Sequence, residues 1–148
     1  MVGIYFDDFE VGIVYKTPTR TMTETDVVMF SAMSGDMNEL HTSEEFSKQT
    51  PFGKRLAQGL LGLSISHGLM FRLGIFDGTG IALLGVDKWQ FTAPVYLGDT
   101  IHAVVEVQEK IESKSKKDRG VIRFFVRLVN QEGVITQQGV QTLMIKRK

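Results

Sequence analysis

A chain of 148 residues with 43% hydrophobic and 23% charged residues is sized and composed for one soluble globular domain, expected to span residues 1–148. Its 17 basic side chains cancel its 17 acidic ones, a balance that supports no nucleic-acid or membrane-surface partner. The lack of cysteine excludes disulfides, thiolate catalysis and cysteine-held zinc, and the acids in residues 1–12 do not suit a secretory leader, so a cytoplasmic location is expected.

Residues 4–20 read as two short extended pieces around Glu10-Val11-Gly12. Thr23-Glu24-Thr25-Asp26 predicts a helix start, with Thr23 as N-cap and an acid three residues later. Val27, Val28, Phe30, Ala32 and Met33 carry the helix on, and Gly35 suits its end. The stretch holding Asp36 and His41 is expected to be tight and non-helical. Thr42-Ser43-Glu44-Glu45 predicts a second capping box, opening a short helix that Pro51 and Gly53 close.

Residues 56–73 form the one long apolar helix, and Gln58, His67 and Arg72 make it too polar to span a membrane. It carries Gly59, Gly62 and Gly68, and a glycine inside a helix costs roughly 1 kcal/mol against alanine. At helical spacing Gly59, Gly62 and Ser66 fall within about 60° of one another, giving a smooth strip on one face. Such a strip suits either tight packing against a sheet or a thin ligand arm lying along the helix.

The second half is β-rich. Residues 81–86 predict a strand and residues 88–91 lead toward Pro94. Ile101, Ala103, Val105 and Val107 alternate with His102 and Glu106, and Ile122, Phe124, Val126 and Leu128 alternate with Arg123 and Arg127. Between them the basic stretch 110–119 reads as a solvated hairpin tip. Asn130-Gln131-Glu132-Gly133 is a turn, and residues 134–145 form the last strand. Helix and strands segregated in this way predict an α+β fold, with a curved antiparallel sheet wrapped around one central helix. A single sheet leaves an edge open, and pairing between copies would protect it, so at least a homodimer is expected.

The chemistry-bearing residues lie ahead of and at the start of the long helix. Asp36 and His41, five residues apart, can hold one water from two sides, since an imidazole exchanges a proton near neutrality and a carboxylate accepts a hydrogen bond. Gly59 opens the helix, where an unpaired backbone N–H and the helix dipole can face a carbonyl oxygen.

Ser34-Gly35-Asp36-x-Asn38-x-Leu40-His41, Ala57-Gln58-Gly59-Leu60 and Phe91-x-Ala93-Pro94-Val95-x-x-Gly98-Asp99-Thr100 together resemble the MaoC-like dehydratase family. This family comprises the (R)-specific enoyl-CoA hydratases of the hotdog fold. The resemblance runs from about Phe6 to Ile145. It implies interconversion of trans-2-enoyl-CoA and (R)-3-hydroxyacyl-CoA by water addition or removal. Asp36 and His41 would then be the catalytic pair, and the Gly59 N–H the donor to the thioester oxygen. Asn38 would orient the aspartate or its loop, with Gln58, Gly62 and Ser66 on the substrate side. The substrate would be a CoA or acyl-carrier-protein thioester, with no metal and no redox cofactor. The chain departs from the family pattern at Glu39, where relatives usually have proline, and at Gln58, where many have histidine.

Two other functions fit less of the pattern: a hotdog thioesterase releasing free thiol, and a non-catalytic acyl-thioester binding subunit. Ser64 and Ser66 have no visible base partner, and the three histidines show no metal-ligand spacing. His67 and His102 read as structural. Lys54 and Arg55 are either solvated surface or contacts for the phosphates of a CoA or carrier arm.

Overall fold

A computed structural model describes residues 2–148. Its frame is an antiparallel sheet of β1 (Val14–Lys16), β4 (Thr100–Glu112), β5 (Arg119–Val129), β6 (Ile135–Lys146) and β3 (Gly80–Phe91), in that spatial order. A sixth strand, β2 (Arg20–Thr21), also pairs with β4. The helices are α1 (Glu24–Ser34), α2 (Glu39–Thr42), α3 (Glu44–Lys48) and the long α4 (Gly59–Phe71).

The period-two pattern decides which face of the sheet is dry. Ile101, Ala103, Val105 and Val107 of β4 and Ile122, Phe124, Val126 and Leu128 of β5 are all 0% exposed, and their neighbours in sequence face outward. Leu61, Ile65, Leu69 and Met70 of α4 close the core from above. Phe124 meets Phe9 and Phe76 edge-on, at centroid distances of 5.7 and 5.4 Å.

Where α4 lies over β6 the contact is polar. Gln137 donates from Nε2 to the Gly59 carbonyl at 3.1 Å and accepts from Trp89 Nε1 at 3.0 Å. Gln141 donates to the Ser66 hydroxyl at 3.0 Å, and that hydroxyl donates to the Leu63 carbonyl. Gly62 makes room for this arrangement, because a Cβ there would run into the Gln137 amide.

Several expected boundaries change. The first extended piece is instead a 3-10 turn, Phe6–Asp8, whose Phe6 ring is buried and fills the space a Cβ on Gly120 would need. The strand expected over 81–86 continues to Phe91, because register shifts against β6 and a positive φ of 51° at Lys88 absorb the break. α3 is capped by Ser43 rather than Thr42, which ends α2, and α4 begins at Gly59 rather than residue 56. The capping box of Thr23 with Asp26 forms as expected, and Gly35 ends α1 in the left-handed region at φ 82°.

Two glycines of α4 should respond oppositely to alanine. Gly68→Ala meets open space and should stabilise the protein by up to about 1 kcal/mol. Gly62→Ala displaces the Gln137 amide and should destabilise it by roughly 1–3 kcal/mol, both read from urea unfolding midpoints.

Candidate active site

The loop after α1 is built almost entirely from its own polar side chains. Ser34 Oγ donates to the Phe30 carbonyl at 2.6 Å and accepts from the Asp36 N–H at 3.1 Å. Asp36 Oδ1 accepts from the Asn38 N–H at 3.3 Å, and Asn38 Oδ1 caps α2 by accepting from the Leu40 N–H at 2.9 Å. Thr42 Oγ1 donates back to the Asn38 carbonyl, and Ser47 Oγ to that of Leu40. His41 therefore sits in a one-turn helix, not in the non-helical stretch expected from the sequence.

His41 is 9% exposed, and its Nδ1 lies 2.7 Å from the carbonyl oxygen of Leu56. A carbonyl can only accept, so Nδ1 carries the proton and a neutral ring presents Nε2 as an acceptor. Nε2 is 3.7 Å from Asp36 Oδ2, too far for a direct hydrogen bond and suited to one water shared between them. Asp36 stays open to solvent on its other side, with its side chain 43% exposed.

Residues 56–57 place Gly59 beside this pair. Leu56 bridges to Tyr96, and the Ala57 N–H donates to the Val95 carbonyl at 2.8 Å, which fixes the entry to α4 against the 94–96 segment. α4 begins without a side-chain cap and with no acid in its first turn, so its leading N–H groups keep their donor capacity and their dipole. A cavity of about 330 Å³ holds both His41 and Gly59, walled by Phe52, Phe91, Pro94 and Gln137. Asp36 does not line it and reaches it through His41.

The remaining expected site residues are placed differently. Asn38 positions Asp36 and caps α2, and it does not line the cavity. Gln58 is 2% exposed and spends its amide on the Val27 carbonyl and the Ser31 hydroxyl, tying α4 to α1 where substrate contact was expected. Gly62 faces Gln137, and Ser66 is 0% exposed within the Gln141 network, so both pack against β6. Gln137, Phe91 and the Leu56 carbonyl belong to the site and were not expected. The available signal was Gln137 and Gln141, four apart on one otherwise apolar face of β6.

Of the two cations considered for phosphate, Arg55 is committed. It bonds Glu24 at 2.7 Å and also Glu44, locking α1 to α3, and these bonds hold its guanidinium above the usual range. Lys54 lies 4.4 Å over the Tyr96 ring, beside a second cavity that shares Ala93 and Pro94 with the first. Among the described residues no cluster of three His, Cys, Asp or Glu side chains could hold a metal ion, and no helix is long and apolar enough to cross a membrane.

Residues 8–123 match the family described as the MaoC like domain. A 3-hydroxybutyryl-CoA dehydratase of Methylorubrum extorquens is 39% identical over 115 residues, covering 76% of this chain and 69% of the relative. An (R)-specific enoyl-CoA hydratase of Rhodospirillum rubrum is 34% identical, covering 74% of each. A crystal structure described as a monoamine oxidase regulatory protein from Archaeoglobus fulgius superposes with a TM-score of 0.91 at 34% identity, over 100% of this chain and 97% of that one. The chain belongs to the MaoC-like dehydratase family and has the α+β hotdog fold.

The Asn38 side chain acts as the cap of α2. Asn38→Ala should cost about 1 kcal/mol of stability. Asn38→Ser, which can still cap α2, should restore most of it, read from urea unfolding midpoints.

Proposed function

We propose that this chain hydrates trans-2-enoyl thioesters to (R)-3-hydroxyacyl thioesters and catalyses the reverse dehydration. The observation that carries this reading is the His41 ring, held by the Leu56 carbonyl with Nε2 free, 3.7 Å from Asp36 Oδ2 and on the same cavity as Gly59. The hydratase and dehydratase names of its relatives support it.

In the hydration direction a water donates one hydrogen bond to Nε2 and the other to Asp36, which aims its lone pair at C3. As the O–C3 bond forms, the C2=C3 pair moves toward C2 and charge builds on the thioester oxygen. The Gly59 N–H and the α4 dipole stabilise that oxygen, an interaction stronger in the transition state than in the substrate. The proton taken from the water is returned to C2, so atoms balance and no metal or redox cofactor takes part. Both parts of the water come from one side, which fixes the stereochemistry.

The thioester would arrive as a CoA or acyl-carrier-protein conjugate, and Lys54, over the Tyr96 ring beside the second cavity, would be the cation offered to a phosphate of the carrier arm. The working unit would be a homodimer or larger homo-oligomer in the cytoplasm. Its support is β3, an edge strand whose Ile81, Leu83, Leu84, Val86 and Phe91 are 37–55% exposed.

Crotonyl-CoA should lose its enoyl absorbance on addition of the protein, and chiral analysis should show the (R)-3-hydroxy product. Asp36→Asn and His41→Ala should each lower kcat by at least about 100-fold, within the range for losing a general acid–base group. Thiol release without water addition would instead indicate a thioesterase. Sedimentation should give at least twice the 16.6 kDa chain mass, and Leu84→Lys should shift the protein toward monomer.

A further inference from the structure

The pairing of β3 with β6 slips between Asp87–Val140 and Gln90–Gln138, so that Lys88 and Trp89 together face the single residue Gly139. Such a bulge re-aims a side chain. Lys88 absorbs it at φ 51°, the one positive φ outside glycine among the described residues. The re-aimed side chain belongs to Trp89, the only tryptophan in the chain. Its ring lies over Gly139, where a Cβ would stand 2.7 Å from the Trp89 Cα and Cε3 atoms. A strained lysine, a glycine without room for a side chain and a lone indole meet at one point of the sheet.

The indole packs against the core and reaches the His41 cavity only through Gln137. Trp89 Nε1 donates to Gln137 Oε1 at 3.0 Å. An indole N–H can only donate, so it holds the amide oxygen on its own side and leaves Nε2 for α4. Nε2 then donates to the Gly59 carbonyl at 3.1 Å. A turned-over amide would set two acceptors against each other at that carbonyl. Gln137 is 3% exposed and walls the cavity together with His41 and Gly59, whereas neither Lys88 nor Trp89 lines it.

This chain of two bonds bears on the chemistry because Gly59 stands at a helix end. It opens α4 after Gln58, which makes no side-chain cap, and it has no side chain of its own to pack. Its N–H belongs to the unpaired first turn, so no helical bond fixes the direction of that donor. Two tethers flank it instead. The Ala57 N–H is tied to the Val95 carbonyl on one side, and the Gly59 carbonyl is tied to Gln137 on the other. A donor aimed at a developing oxyanion loses its value steeply with small displacements.

We infer that Trp89 is a positioning residue: through the Gln137 amide it aims the Gly59 N–H at the thioester oxygen. The inference rests on the proposed action at the thioester and adds the side chains that keep its oxyanion donor in place. The bulge at Lys88 is then the device that brings an indole N–H to the inner face of β6, where Gln137 needs a donor.

Butyryl-CoA carrying carbon-13 at its thioester carbonyl cannot react, and infrared difference spectra of its complex with the intact protein read the donor directly. Trp89→Phe keeps an aromatic ring over Gly139 and removes the N–H, so the bound carbonyl should stretch at a higher frequency than in the wild type. Gln137→Met should raise it equally, and the double variant should match either single one, because both lie on one chain of bonds. With crotonyl-CoA the same variants should lower kcat about ten-fold, less than loss of the donor itself, and leave KM within about two-fold. If Trp89→Phe does not fold, benzothienylalanine in place of the sole tryptophan, an isostere without the N–H, makes the same comparison. An unmoved carbonyl frequency, additive effects in the double variant, or a loss confined to KM would overturn the inference. The frequency change with no turnover of crotonyl-CoA by the wild type would uphold it and remove the hydratase reading alone.

Discussion

The hydrogen bond from His41 Nδ1 to the Leu56 carbonyl couples the loop after α1 to the start of α4. Its donor lies on the one-turn helix that Asn38 caps, and its acceptor lies in the two residues pinned to the 95–96 segment. The same bond fixes the ring's proton on Nδ1 and turns Nε2 toward Asp36. One contact thus sets the position of the imidazole, its tautomer and its distance from the first turn of α4. Arg55 reinforces it from outside by clamping Glu24 at the head of α1 and Glu44 at the head of α3.

A second constraint is the polar seam between α4 and β6. Helix-on-sheet packing is usually apolar, and here Gln137 and Gln141 replace aliphatic contacts with directional ones. Each amide is used at both ends, so burial costs little and the helix is held in one rotational setting. The glycines of α4 belong to this arrangement. Gly62 admits the Gln137 amide, and a Cβ on Gly59 would press on the Phe91 ring across the cavity. The smooth strip seen in the sequence serves packing at Gly62 and the site at Gly59.

The sheet was legible where a strand buries one face only, so alternation survives in β4 and β5 without competing signals, whereas β6 buries residues on both faces. The capping box at Thr23 and the stop at Gly35 were legible for the same local reason: both are decided within four residues. The Phe6–Asp8 turn was not, because Phe6 is held by a distant glycine in β5. Asp36, His41 and Gly59 stood out as residue types at meaningful spacing. The roles of Gln58, Gly62 and Ser66 did not, since each depends on a partner far away in sequence: Val27, Gln137 and Gln141. The Leu56 carbonyl has no side-chain signature at all, although it sets the state of the histidine.

The proposed chemistry depends most directly on which nitrogen of His41 holds the proton. Nitrogen-15 correlation spectra of the histidine-labelled protein at neutral pH report this without any substrate. A neutral His41 ring protonated at Nδ1, with an unprotonated Nε2, is the expected result. A neutral ring protonated at Nε2 would leave no acceptor facing the shared water and would contradict the proposed chemistry.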